Sequence, residues 1–156
     1  MLSEAIRKSM EFHLSMGGLI FGQNLTDVGW VANTLPPFEN HPGYIELPIT
    51  DIAGPGISVG AALSGKPSIY ICRYQGFLWL NIMPFATYAA SCRRVFDQDC
   101  PVMIRAIADD GSFGPISGGS HFSLALQTSE LKVVAPVIDT DWDNIWTNFA
   151  SSKDPI

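Results

Sequence analysis

A chain of 156 residues suits one domain with a real core and leaves little room for a second. Its 15 acids against 9 bases give a net charge of −6, which excludes the basic footprint a nucleic-acid binder needs. With 47% hydrophobic residues the chain is not globally disordered. Charged residues are 15% of the sequence, sparse beside about 25% in an average soluble domain, so buried contact with a partner chain is expected.

The charge is uneven: residues 109–156 carry seven acids and two bases, and the simplest reading of that tail is a solvated acidic face. Cys72, Cys92 and Cys100 are an odd number at spacings that match neither a metal site nor a redox pair. Met1 to Met16 is mixed and polar, unlike a signal peptide, and no apolar run approaches the ~18 residues of a membrane span. Free thiols in a reducing, cytoplasmic setting are the expectation.

From the N-terminus, Ser3–Ser15 has apolar residues at helical spacing, with Ser3 as the predicted N-cap and Gly17-Gly18 as the stop. Leu19–Gly22 reads as a buried strand, residues 24–43 as loop, and Tyr44–Pro48 as a second strand. Pro55 fits the first turn of a helix that runs through Ile57–Ser64 to a Gly65 cap, and Gly56 and Gly60 predict close packing of that helix on a sheet. Ser68–Arg73 is the clearest strand. Phe77–Arg94 is apolar and helix-forming, interrupted at Pro84. Pro101–Ala108 predicts a fourth strand, Asp109–Gly119 a Gly-rich loop, Phe122–Glu130 a helix, Leu131–Ala135 a fifth strand and Asp141–Ala150 a last helix. Alternation of this kind predicts a three-layer α/β/α fold around a mostly parallel sheet of about five or six strands.

The usual nucleotide and hydrolase signatures fail. Gly-Gln-Asn follows the first strand in place of G-x-G-x-x-G, there is no Walker A sequence, and Ser112 lacks the G-x-S-x-G elbow. Two residues stand out. Asp51 lies between a strand end and a helix start, where a carboxylate either caps the helix or accepts a strong hydrogen bond from a ligand N–H. His121 follows Gly118-Gly119 and is either a structural loop residue or a proton carrier.

The segment from Leu47 through Pro48-Ile49-Thr50-Asp51 and on to Ala61-Ala62-Leu63-Ser64-Gly65 resembles a helix-start signature, roughly P-I-S/T-E-x-G-x-x-G-x-A-x-G-A-A-x-x-G. That signature belongs to the pyrimidine-binding domain of thiamine-diphosphate enzymes of the transketolase and 2-oxo-acid dehydrogenase beta-subunit group. Leu19-Ile20-Phe21-Gly22-Gln23-Asn24, the pair Tyr74 and Phe77, Met103-Ile104-Arg105, His121 and Leu131–Pro136 fall in the family's order, so the resemblance covers about residues 3–150.

The resemblance implies a fold, residues 1–156 as a single pyrimidine-binding domain, and a chemistry. Asp51 would bond N1′ of the cofactor's aminopyrimidine and favour the tautomer that deprotonates the thiazolium. Phe77 would stack on that ring, Tyr74 and Ile49 would line the same pocket, and His121 would act on substrate. Three positions depart from the pattern: Asp51 stands for the family's Glu, Gln23 for a frequent Glu, and Pro84 breaks a helix that is usually whole. The family's diphosphate and Mg²⁺ signature, Gly-Asp-Gly…Asn, is absent. The implication is half of a split enzyme, inactive alone, that shares thiamine diphosphate with a diphosphate-binding partner carrying the Mg²⁺, in a dimer or larger assembly. The other readings are a catalytically degenerate assembly subunit and a generic α/β ligand-binding domain.

Overall fold

The computed structural model describes residues 1–27, 29–38, 40–108 and 114–156. Helix α1 (Leu2–Ser15) leads into β1 (Leu19–Gln23), a left-handed turn α2 (Gly29–Asn33), β2 (Tyr44–Leu47), helix α3 (Ala53–Leu63) and β3 (Ser68–Cys72). A 3₁₀ turn (Gln75–Phe77), α4 (Leu78–Asn81), a π-helical turn (Phe85–Ala89) and α5 (Cys92–Phe96) follow, then β4 (Val102–Ala106), α6 (Gly114–Ser117), α7 (Phe122–Leu126) and α8 (Asp139–Ser151).

The four strands form an all-parallel sheet in the order β2-β1-β3-β4. Parallel sheets are covered on both faces, and β3 is buried at every position from Ser68 to Cys72. Alternate side chains feed two cores. Phe21, Tyr70, Cys72 and Val102 point to the face covered by α3 and the 78–96 segment. Ile20, Ile69, Ile71 and Met103 point to the face covered by α1 and α8. The α/β architecture with helices on both sides is therefore as the alternation implied, on four strands rather than five or six.

The missing strand has a structural reason. Leu131–Ala135 forms no ladder; Leu131 is buried and Val133 packs beside it in the α3-side core. The edge of β4 that such a strand would use is held by the C-terminal residues. Cys100 N–H donates to Lys153 O (2.8 Å), Ile104 N–H to Ile156 O (2.9 Å) and Ile156 N–H to Val102 O (2.9 Å). The last two bonds straddle Met103, the parallel pattern.

Three other expectations shift. Helix α1 starts at Leu2 with Met1 at the cap position, so Ser3 lies inside the first turn and caps nothing. Helix α7 ends at Leu126, short of Glu130, where Gln127-Thr128-Ser129 includes weak helix formers. A Cβ at Gly60 would meet nothing within 4 Å and one at Gly56 only Pro84 at 3.9 Å, so neither glycine mediates close packing. Gly54 does: a Cβ there would sit 3.0 Å from Leu47 and Thr50 and 3.3 Å from the Tyr70 ring. The break at Pro84 is present, with Pro84 at the cap of the π-helical turn. Of the predicted Gly-rich loop, residues 109–113, Ser112 among them, lie outside the described residues.

All three cysteines are free and buried. Among the described residues no helix is long and apolar enough to cross a membrane.

Candidate functional site

In a sheet of order 2-1-3-4 the chain leaves β1 toward one side and returns to β3 on the other. The connections diverge between them, and a crevice opens outside the carboxyl ends of those two strands. A small cleft of about 70 Å³ lies at that point, lined by Gln23 and Asn24 at the end of β1 and by Tyr70, Ile71 and Arg73 at the end of β3. Ile49 and Asp51, which lead into α3, and Phe77 and Asn81 beyond β3 complete the wall.

Asp51 is held at two points and its neighbour Thr50 at a third. Gln23 Nε2 donates to its Oδ1 at 2.6 Å, and Gln23 Oε1 accepts the neighbouring Thr50 N–H at 2.8 Å. Asn81, buried on α4, donates from Nδ2 to the Asp51 carbonyl at 2.6 Å. The residue at the α3 cap position is Ile52, with no side-chain cap bond. Asp51 is therefore no N-cap; its carboxylate faces Gln23 across the end of β1, and Oδ2 carries no hydrogen bond among the described residues.

The carboxylate is felt nearby. Burial pushes the Cys72 thiol up to about 12; a hydrogen bond with the Tyr74 backbone opposes that and the Asp51 charge adds to it. The Tyr70 hydroxyl is also raised, first by burial, then by the Cys72 and Asp51 charges.

On the opposite wall the Arg73 guanidinium lies 5.4 Å from the Tyr74 ring centre and 5.7 Å from that of Phe77, with the two rings 6.4 Å apart. These are cation–π distances. Arg73 Nε is buried and has no acceptor among the described residues, an expensive state for a charged donor.

The predicted residues thus separate. Asp51, Phe77 and Ile49 meet at the cleft. Tyr74 does not line the cleft; its ring lies 6.4 Å from that of Phe77 and 5.4 Å from the Arg73 guanidinium. His121 lies off the cleft at the start of α7: its backbone N–H donates to Gln75 Oε1 (2.7 Å), and its Nδ1 accepts from Trp79 Nε1 (3.2 Å). Arg73 and Asn81 were not anticipated. Arg73 had one available signal, as one of only two cations between residues 48 and 91. Asn81 had a weaker one, an amide inside an apolar run.

No protein-family model matches the chain. Among curated proteins it is similar to the pyruvate dehydrogenase E1 component subunit beta of Mycoplasma pneumoniae, with 26% identity over 169 aligned residues. The match takes in 98% of this chain and 49% of the relative, so the chain spans about half the length of the curated relative it matches.

Proposed function

We propose that this chain is the pyrimidine-binding half of a split thiamine-diphosphate-dependent enzyme, of 2-oxo-acid dehydrogenase beta-subunit or transketolase type, acting at an interface with a diphosphate-binding partner. The observation that carries it is the placing of the Asp51 carboxylate at the β1/β3 crevice, on the segment where the sequence resembles that group. Similarity to an E1 beta subunit along nearly the whole chain supports the same reading.

In kind, the residues fit an aminopyrimidine. Asp51 Oδ2 is available to a ring N–H, the Asn24 and Asn81 carboxamides lie in the same wall, and Phe77 offers an aromatic face. In size they fit only after one movement. About 70 Å³ is room for about two waters, each taking ~30 Å³ in the liquid, and Arg73 covers the Phe77 ring. To seat a pyrimidine against Phe77, Arg73 would have to leave that ring.

When bound, the cofactor supplies the carbanion chemistry. The chain's own part is electrostatic and positional. Asp51 holds the ring N–H in a cleft of low dielectric, where the bond is strong. Gln23 holds its short side chain and Asn81 its backbone carbonyl, which matters because Asp reaches about 1.5 Å less far than Glu. His121 handles a proton on the substrate side.

The segment from residue 48 to 91 contains only three charged residues, Asp51, Lys66 and Arg73. It exposes Ile49, Ile52, Ile57, Trp79 and Leu80. That apolar rim supports a partner subunit closing over the cleft.

A second reading, a catalytically degenerate assembly subunit, is favoured by the bond that occupies Asp51 Oδ1 and by Arg73 on Phe77. Co-purification from the native source tests the first. A co-purifying chain with a Gly-Asp-Gly…Asn sequence, and activity on mixing the two, is expected; no partner and no activity sinks it. Asp51→Glu in the reconstituted complex separates the two readings. A loss of activity marks Asp51 as the working group, and a large gain marks a decayed site.

A further inference from the structure

Trp79 is a large side chain on α4, two residues past Phe77, and is 64% exposed. Burial does not account for its orientation. Its indole Nε1 donates to His121 Nδ1 at 3.2 Å, and the two rings meet edge to face with centres 6.2 Å apart. The backbone of His121 is fixed separately, through its N–H to the buried Gln75 side chain at 2.7 Å. Gln75 is tied in turn by its own N–H to Ile107 O at 3.0 Å.

An indole nitrogen can only donate. A neutral imidazole has one donor and one acceptor nitrogen, and which is which is set by the bond the other makes. A ring accepting at Nδ1 must carry its proton on Nε2. We propose that Trp79 is a positioning residue that holds His121 as the Nε2–H tautomer, so that the histidine meets its ligand as an N–H donor to an acceptor oxygen, a carbonyl or carboxylate, rather than as a base at Nε2. The inference rests on the reading above in one respect only, that His121 faces substrate. The tautomer itself is a property of this chain alone.

The tautomer is read by long-range ¹H–¹⁵N correlation on the labelled chain in mildly alkaline buffer, where an ordinary imidazole is neutral. His121→Asn assigns its signals among the three histidines. The expected result is His121 almost wholly in the Nε2–H form, with its Nδ1–H fraction rising several-fold in Trp79→Phe. A dominant Nδ1–H form, or an unchanged ratio in Trp79→Phe, overturns the assignment. Because Trp79 is largely exposed, the variant is expected to fold, and an unchanged amide spectrum away from α4 and α7 checks it. In the complex with a diphosphate-binding partner, His121→Gln, which keeps an N–H donor, should retain several-fold more turnover than His121→Glu, which only accepts when ionised. Equal loss in both overturns the donor role, while failure of any partner to restore activity bears on the proposed function and leaves the tautomer result standing.

Discussion

Gln23 and Asp51, 28 positions apart in the chain, share a 2.6 Å hydrogen bond at the carboxyl end of β1, and the same Gln23 side chain accepts the Thr50 N–H. One carboxamide thus ties the first strand to the turn that presents the carboxylate. Gln23→Ala removes both bonds and leaves a half-buried acid with less support. A loss of about 1–3 kcal/mol is expected, read as a lower urea midpoint with unchanged slope.

Gln23→Glu is the sharper variant, since it sets two carboxylates where donor and acceptor now meet. They cannot both ionise at that distance, so one apparent pKa of the pair rises above its unfolded value. A carboxyl with a raised folded pKa contributes stability at low pH that is lost as pH rises through that value. Gln23→Glu should therefore lose stability relative to the natural chain from about pH 5 toward about pH 8. Urea midpoints that stay parallel across that range would count against the geometry.

Arg73 holds the aromatic face that a ligand ring would use, with its Nε unpartnered among the described residues. The two facts set opposite expectations for Arg73→Ala. Stability should change by less than about 1 kcal/mol, because the cation–π gain of ~0.5–2 kcal/mol and the cost of a buried unpaired donor nearly offset. Binding of thiamine diphosphate with Mg²⁺, followed by calorimetry with the partner present, should tighten by about tenfold, equivalent to ~1.4 kcal/mol. Weaker binding would make Arg73 a ligand contact instead of an occupant of the seat.

Much of this was legible locally. The β-branched and aromatic run of β3, the proline of the first turn of α3 and the glycine after it each act through their own backbone preferences. Asp51 was legible as a candidate because it stands between a strand and a helix. Its partners were not, since Gln23 and Asn81 lie 28 and 30 positions away and nothing in their own neighbourhoods specifies the contact. The same holds for Leu131–Ala135. Its composition is that of a strand, but the β4 edge it would need is bonded by the distant Lys153 and Ile156. Gly56 and Gly60 misled because spacing on one helical face does not say which face meets the sheet.

His13 gives a pH prediction away from the cleft. It is buried between α1 and α8, near Trp146 and Phe149, with Nε2 3.1 Å from Leu19 O. Burial lowers its pKa, against smaller opposing effects from the Leu19 and Pro67 carbonyls. A histidine with a depressed folded pKa resists protonation that the unfolded chain accepts. Its contribution is therefore intact above the ordinary value near 6.5 and falls as pH drops below it. Urea midpoints should decline between about pH 7.5 and about pH 5.5, before most carboxylates titrate. In His13→Leu that decline should flatten. An equal slope in both proteins would assign it to other groups.

Residues 153–156 provide the last test, because they occupy the sheet edge beside β4 while the predicted strand Leu131–Ala135 does not. Ile156 is buried in the core beside α1 and α8, and its backbone brackets Met103 of β4. Around it, Lys153 pairs with Asp99, and Arg93 bonds both Asp99 and Asp154. These exposed ion pairs are expected to add little. The backbone bonds and the buried isoleucine carry the attachment. Deleting residues 153–156 removes a core side chain, worth roughly 2–5 kcal/mol by analogy with large-to-small core changes, and uncovers the β4 edge, a template for pairing between chains. Ile156→Ala should lose part of the stability while keeping the edge covered; the deletion should lose more and also aggregate, read by light scattering during thermal unfolding. A deletion no less stable than Ile156→Ala, and equally monodisperse, would mean that the edge needs no cover from this segment.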